Sequence, residues 1–88
     1  MRAELNRAEV LRLLNIRPFR PFVITLDNNQ QLVVEHPENI AFDPTPGGRG
    51  DFYMLGAHLR CFSTFDAITM IATLDQLIKN QNGIAGAA

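Results

Sequence analysis

Ile68-Thr69-Met70-Ile71-Ala72-Thr73-Leu74 is the stretch on which the fold turns. Phe65, Ile68, Ile71, Leu74 and Leu77 recur at every third position, a spacing that suits one face of a helix capped by Gly83. The same stretch is dense in β-branched residues, which suit a pleated, half-buried surface. The reading adopted is a strand through Leu74, followed by a helical turn from Asp75 to Asn80. Partial helix between Asp66 and Asn80 stays open. In a strand, Ile68, Met70, Ala72 and Leu74 fill one face and Ile71 lies on the other, so both faces need cover. One helix covers a single face. The other is covered by the rest of the domain or by a second copy pairing along this strand.

Upstream, the hydrophobic period switches between elements. Asn6, with Glu9 three residues on, resembles a capping box, and Ala8, Val10, Leu11, Leu13 and Leu14 follow as a wide apolar face. This predicts a helix from about Asn6, with any earlier residues a frayed first turn. Pro18 disfavours helical geometry at Arg17, so the helix ends near Asn15 or Ile16. Arg17-Pro18-Phe19-Arg20-Pro21-Phe22 then reads as extended and polyproline-like, with both Phe rings pressed onto one surface. Its PxxP spacing is one that peptide-binding domains recognise, but a linker clamped by its Phe rings accounts for it.

Phe22, Ile24 and Leu26 alternate with Val23, Thr25 and Asp27, the pattern of a half-buried strand. Asp27-Asn28-Asn29-Gln30 is a turn, because Asn tolerates the left-handed backbone of tight hairpins. Gln31 to Glu35 returns. Pro37 interrupts the ladder, and a short strand starts at Ile40-Ala41-Phe42. Asp43 to Asp51 is a loop with five Gly or Pro in nine residues. Phe52 to Leu55 and Leu59 to Phe65 are further strands, joined by Gly56-Ala57-His58.

Length and composition bound the rest. The chain has 88 residues, 47% hydrophobic and 19% charged, which fits one globular domain over residues 1–80 with a Gly/Ala-rich flexible tail at 81–88. A single cysteine, Cys61, excludes an internal disulfide and a Cys-based zinc site, and it reads as a buried, inert thiol. No secretory signal or bilayer-length apolar run is present, so a soluble, cytoplasmic protein is expected.

Charge is uneven. Residues 1–20 carry five arginines against two glutamates, a net of +3, and residues 21–88 carry three cations against seven carboxylates, a net of -4. Arg12, Arg17 and Arg20 are therefore the candidate contacts for an anion or RNA. Arg2, Arg7 and Arg12 step by five residues and so spread around a helix instead of forming the concentrated face that nucleic-acid binding needs. His36 and His58 lack metal-ligand spacing with Glu35, Glu38 or Asp51, and Ser63 lacks the context of an activated nucleophile. Arg49-Gly50-Asp51 spells an adhesion tripeptide by coincidence. No catalytic residue, metal site or cofactor is assigned.

The element order resembles Sm-like small β-barrels, including the Hfq-type bacterial RNA chaperones. Phe22 to Leu32 looks like the first Sm motif, and Phe65-Asp66-Ala67-Ile68-Thr69-Met70-Ile71 looks like the second. The likeness spans roughly residues 7–74. It implies a helix on a strongly bent antiparallel barrel and subunits that pair through strand edges. Where the Hfq-type motif carries a Tyr-Lys-His run that contacts RNA, this chain has Thr64, Phe65 and Asp66, an anion in place of the cation. The chain also resembles a group of short uncharacterised bacterial proteins that carry Pro-Phe-Arg-Pro-Phe after a helix and then a His-Pro-Glu step, here Pro18 to Phe22 and His36 to Glu38. The expectation is an α+β domain, an N-terminal helix packed on a strongly bent antiparallel sheet of about five strands, Sm-like or SH3-like. Its expected role is a non-enzymatic interaction module that self-associates through Ile68, Met70, Ile71 and Leu74 as a homo-oligomer. Weak RNA binding by the N-terminal arginines is the alternative; an unknown protein partner is possible and a membrane partner is not expected.

Overall fold

The computed structural model describes residues 2–56 and 60–74. His58, the Asp75–Asn80 turn and the 81–88 tail lie outside the described residues. Helix α1 spans Arg2–Leu14, so it begins well before Asn6. Arg2, Ala3, Glu4 and Leu5 are all good helix formers, and Glu4 in the first turn and Arg12 in the last complement the helix dipole. Asn6 is therefore interior to the helix. Its side-chain amide donates to the carbonyls of Phe65 at 2.7 Å and Ile68 at 3.3 Å, so it serves a distant segment and caps nothing. At the other end Arg17 Nη1 donates to the carbonyls of Leu14 and Ile16, covering groups that the helix leaves unpaired.

After the helix the Arg17–Pro18 bond is cis and the chain bends there, so the segment is not one continuous extended run. The two rings do meet, Phe19 lying edge-on to Phe22 at 6.2 Å. Strand β1 (Phe22–Leu26) pairs with β2 (Gln31–Val34), Ile24 opposite Leu32. Asn29 in the turn between them has φ 68°, and the Gln30 N–H donates to Asn28 Oδ1. Pro37–Asn39 forms a 3-10 turn, and the Asn39 side chain accepts from the His36 N–H while donating to the Leu55 carbonyl. Then come β3 (Ile40–Phe42), β4 (Asp51–Leu55), β5 (Arg60–Thr64), a second 3-10 turn (Phe65–Ala67) and β6 (Ile68–Thr73).

The class is α+β, and the strands form two antiparallel three-stranded sheets in the orders β2-β1-β6 and β3-β4-β5. A single sheet of about five strands was expected; the Pro37 turn separates β2 from β3 and gives each sheet its own strand. The core lies between the sheets under α1: Val10 and Leu13 from the helix, Phe22, Ile24, Leu32, Phe52, Met54 and Ile68 from strands, and Phe65 from the second turn. Burying each such side chain contributes roughly 1.5–3 kcal/mol. The Phe65 ring touches Phe42 at 5.2 Å and Phe52 at 5.1 Å between ring centres.

β6 is a strand, as the sequence predicts, but its two faces are not both apolar and dry. A bulge lets Ile24 pair with Ile71 and Leu26 with Ile68, although the first two are two residues apart and the second two are three apart. Ile68 and Ile71 thus share the core face and Met70 faces outward, 43% exposed, with Thr69 exposed beside it. The three-residue spacing that looked helical belongs to a bulged strand.

Candidate functional site

Three surfaces are built from the residues that sequence reasoning singled out or passed over. The first is the β6 flank. Among the described residues β6 pairs only with β1, leaving its other side without a strand neighbour. Of the four candidate contacts, Ile68 is 1% exposed and belongs to the core, and its carbonyl is occupied by Arg2 Nη2 at 2.8 Å and by Asn6. Ile71 and Leu74 are half-buried, and the Leu74 N–H donates to the Pro21 carbonyl. Met70 stands on the outer face of the β2-β1-β6 sheet, the same face as the exposed Val33.

The second is the arginine set. Arg12 grips Glu9 with two hydrogen bonds, at 3.0 and 2.6 Å, which lowers the Glu9 pKa and raises that of Arg12. Arg17 closes the helix end, and Arg20 is exposed. Arg2 reaches β6, and Arg7 is buried. Arg2, Arg7, Arg12 and Arg17 are thus each engaged with different partners.

Arg7 was not identified as special, yet it organises the molecule. Only 3% exposed, it pairs with Glu4, donates to the carbonyls of Gly48 at 3.0 Å and of Arg49, and lies over the Phe65 ring at 5.5 Å. Glu4 also accepts from the Gly47 N–H. The Gly/Pro-rich loop is therefore tied to α1 by hydrogen bonds to both members of an ion pair within the helix. The signal was present in the sequence: Ala3, Arg7, Val10 and Leu14 fall three or four apart, so Arg7 occupies a position on the apolar stripe.

The third surface is a groove of about 500 Å³ on the outer side of the β3-β4-β5 sheet. Ala41, Phe42, Asp43, Arg49, Asp51, Phe52, Tyr53 and Phe62 line it. Tyr53 pairs across strands with both Ala41 and Phe62, so the two aromatic side chains stand together, 41% and 71% exposed. Asp51 is held below the usual carboxylate range by hydrogen bonds from the Arg49 side chain, with Nε 3.2 Å from Oδ1. Asp43 is held low first by the Thr45 N–H, 2.9 Å from Oδ1. Both are ionised near neutrality. Sequence reasoning made both stretches strands and did not single out Tyr53 or Phe62.

The remaining residues that the sequence singled out are placed as follows. Arg49 of the adhesion-like tripeptide is engaged by Asp51 through its side chain and by Arg7 through its carbonyl. Cys61 is half-buried and packs against the core. His36 is exposed at the first 3-10 turn, and Ser63 pairs with Phe52 in the β4–β5 ladder. Among the described residues no three His, Cys, Asp or Glu side chains converge as metal ligands would, and no helix is long and apolar enough to cross a membrane. Comparisons with protein-family models, with curated proteins and with solved structures find no match to this chain.

Proposed function

We propose that the protein is a non-enzymatic interaction module that self-associates through the flank of β6. The supporting observation is the one-sided pairing of this strand together with Met70, an apolar side chain 43% exposed beside that flank. An open strand edge offers unpaired backbone groups to another chain, and β-pairing across it buries the adjoining apolar side chains. Helix α1 occupies the Ile68 carbonyl through Arg2 and Asn6, and Thr69 and Met70 next to it are the exposed residues offered. Two of the exposed ion pairs, Arg12 with Glu9 and Arg49 with Asp51, join residues close together on the same element or loop end and hold local structure.

This reading sets the chain on an Sm-like or SH3-like small barrel. Its support is the strand order: β2 and β3 follow one another across only residues 35–39 and pass the chain from one sheet to the other, and the Phe65–Ala67 turn leads into β6, which returns to β1. Light scattering coupled to size exclusion tests the proposal. An oligomer at micromolar concentration is expected. Met70→Lys should convert it to a monomer with an unchanged far-ultraviolet spectrum, since the exposed site tolerates a charge. A wild-type monomer under the same conditions refutes the proposal.

A further inference from the structure

We infer that the groove on the β3-β4-β5 sheet binds a cationic side chain, the arginine or lysine of a basic partner peptide, between Tyr53 and Phe62 and against Asp51. This site lies on the opposite sheet from β6 and stands independently of self-association. Two lines of geometry carry it. Tyr53 and Phe62 are exposed cross-strand neighbours that both line the groove, and aromatic rings attract a cation over their faces, the more strongly as the site loses water. The groove also holds two carboxylates and one guanidinium, a formal net charge of -1.

The charge chooses among occupants. A nucleic-acid strand stacking on the rings would bring phosphates towards Asp43 and Asp51, while Arg49, the cation that lines the groove, is already engaged by Asp51. A neutral apolar peptide would strip water from both carboxylates without replacing it. A cation satisfies both. Arg49 is 81% exposed along its side chain, and exposed ion pairs contribute little, so it swings away at small cost and leaves Asp51 to the incoming group. Asp43 keeps its bond from the Thr45 N–H and supplies background charge. Arg60, further along β5, does not line the groove.

Fluorescence anisotropy on the full chain tests this with labelled glycine–serine peptides carrying two arginines, two citrullines or two glutamates, and with a labelled oligothymidine. The arginine peptide should bind best. Phe62→Ala, at an exposed position that does not threaten folding, should weaken it about tenfold. Arg49→Ala removes the internal competitor and should tighten it about threefold. That sign is decisive, because an anionic occupant would be weakened by the same change. Equal binding of the citrulline peptide, preference for oligothymidine, an indifferent Phe62→Ala, or an Arg49→Ala that fails to tighten would each overturn the inference.

Discussion

Replacing Arg7 by Met is the sharpest test of how the molecule is held together. Met keeps much of the aliphatic length that packs beneath Phe65 and removes only the guanidinium. Three attachments go with it: the pair with Glu4, the bonds to the Gly48 and Arg49 carbonyls, and the contact with the Phe65 ring. Hydrogen bonds from a charged group contribute about 1.5–3 kcal/mol each. Glu4 is partly exposed and Arg49 lies in an exposed loop, so water can replace part of what is lost. Relief from burying a charge, including the Nε that has no partner, offsets part of the rest. The net cost is about 2–3 kcal/mol, which for a domain of this size lowers Tm by about 10–20 °C. Urea and thermal unfolding followed by circular dichroism measure it. Hydrogen exchange at Gly47, whose N–H donates to Glu4, should quicken in step as the pair that positions Glu4 is lost. An Arg7→Met protein as stable as the wild type, with Gly47 still protected, would mean that the loop is held by its own turns and that the ion pair is incidental.

Other outcomes follow from single sites. Asp43 and Asp51 have native pKa values below those of the unfolded chain, so their stabilisation is full above about pH 4 and fades as pH falls through the native values; Asp43→Asn should flatten this acid limb in urea titrations between about pH 5 and pH 2. Gly48→Ala should destabilise by about 1–3 kcal/mol, because the new Cβ would overlap the Asp43 carboxylate and stand 2.9 Å from the Thr45 carbonyl; chemical denaturation checks this. Asn29→Val should cost about 1–2 kcal/mol in the same assay, whereas Asn29→Gly should be nearly neutral, since the position has φ 68°.

Local chemistry made most of the fold legible. Alternation from Phe22 to Leu26, the Asn-Asn turn, the break at Pro37 and the Gly/Pro loop each depend on neighbours a few residues away, and each appears where the sequence put it. What escaped depends on distant partners. Asn6 resembles a cap until the carbonyls of Phe65 and Ile68 come within reach of its amide. Arg7 resembles a surface residue until the loop closes over it. The bulge in β6 follows from its pairing with Thr25 and Leu26, so the sharing of one face by Ile68 and Ile71 could not be seen from their spacing alone. The aromatic groove was not visible: the sequence marked two strands, and only the β4–β5 register brings Tyr53 and Phe62 side by side.

The attachment of α1 to the far end of the chain has a consequence for biosynthesis. Arg2 and Asn6 bond to Ile68, across 66 and 62 residues of sequence, so the docking site of the helix is complete only once β6 exists. On the ribosome, the stripe of Val10 and Leu13 therefore waits in solvent while the strands are still being made, and contacts of such long range slow the final closure. Docking of the helix is therefore a late step in folding.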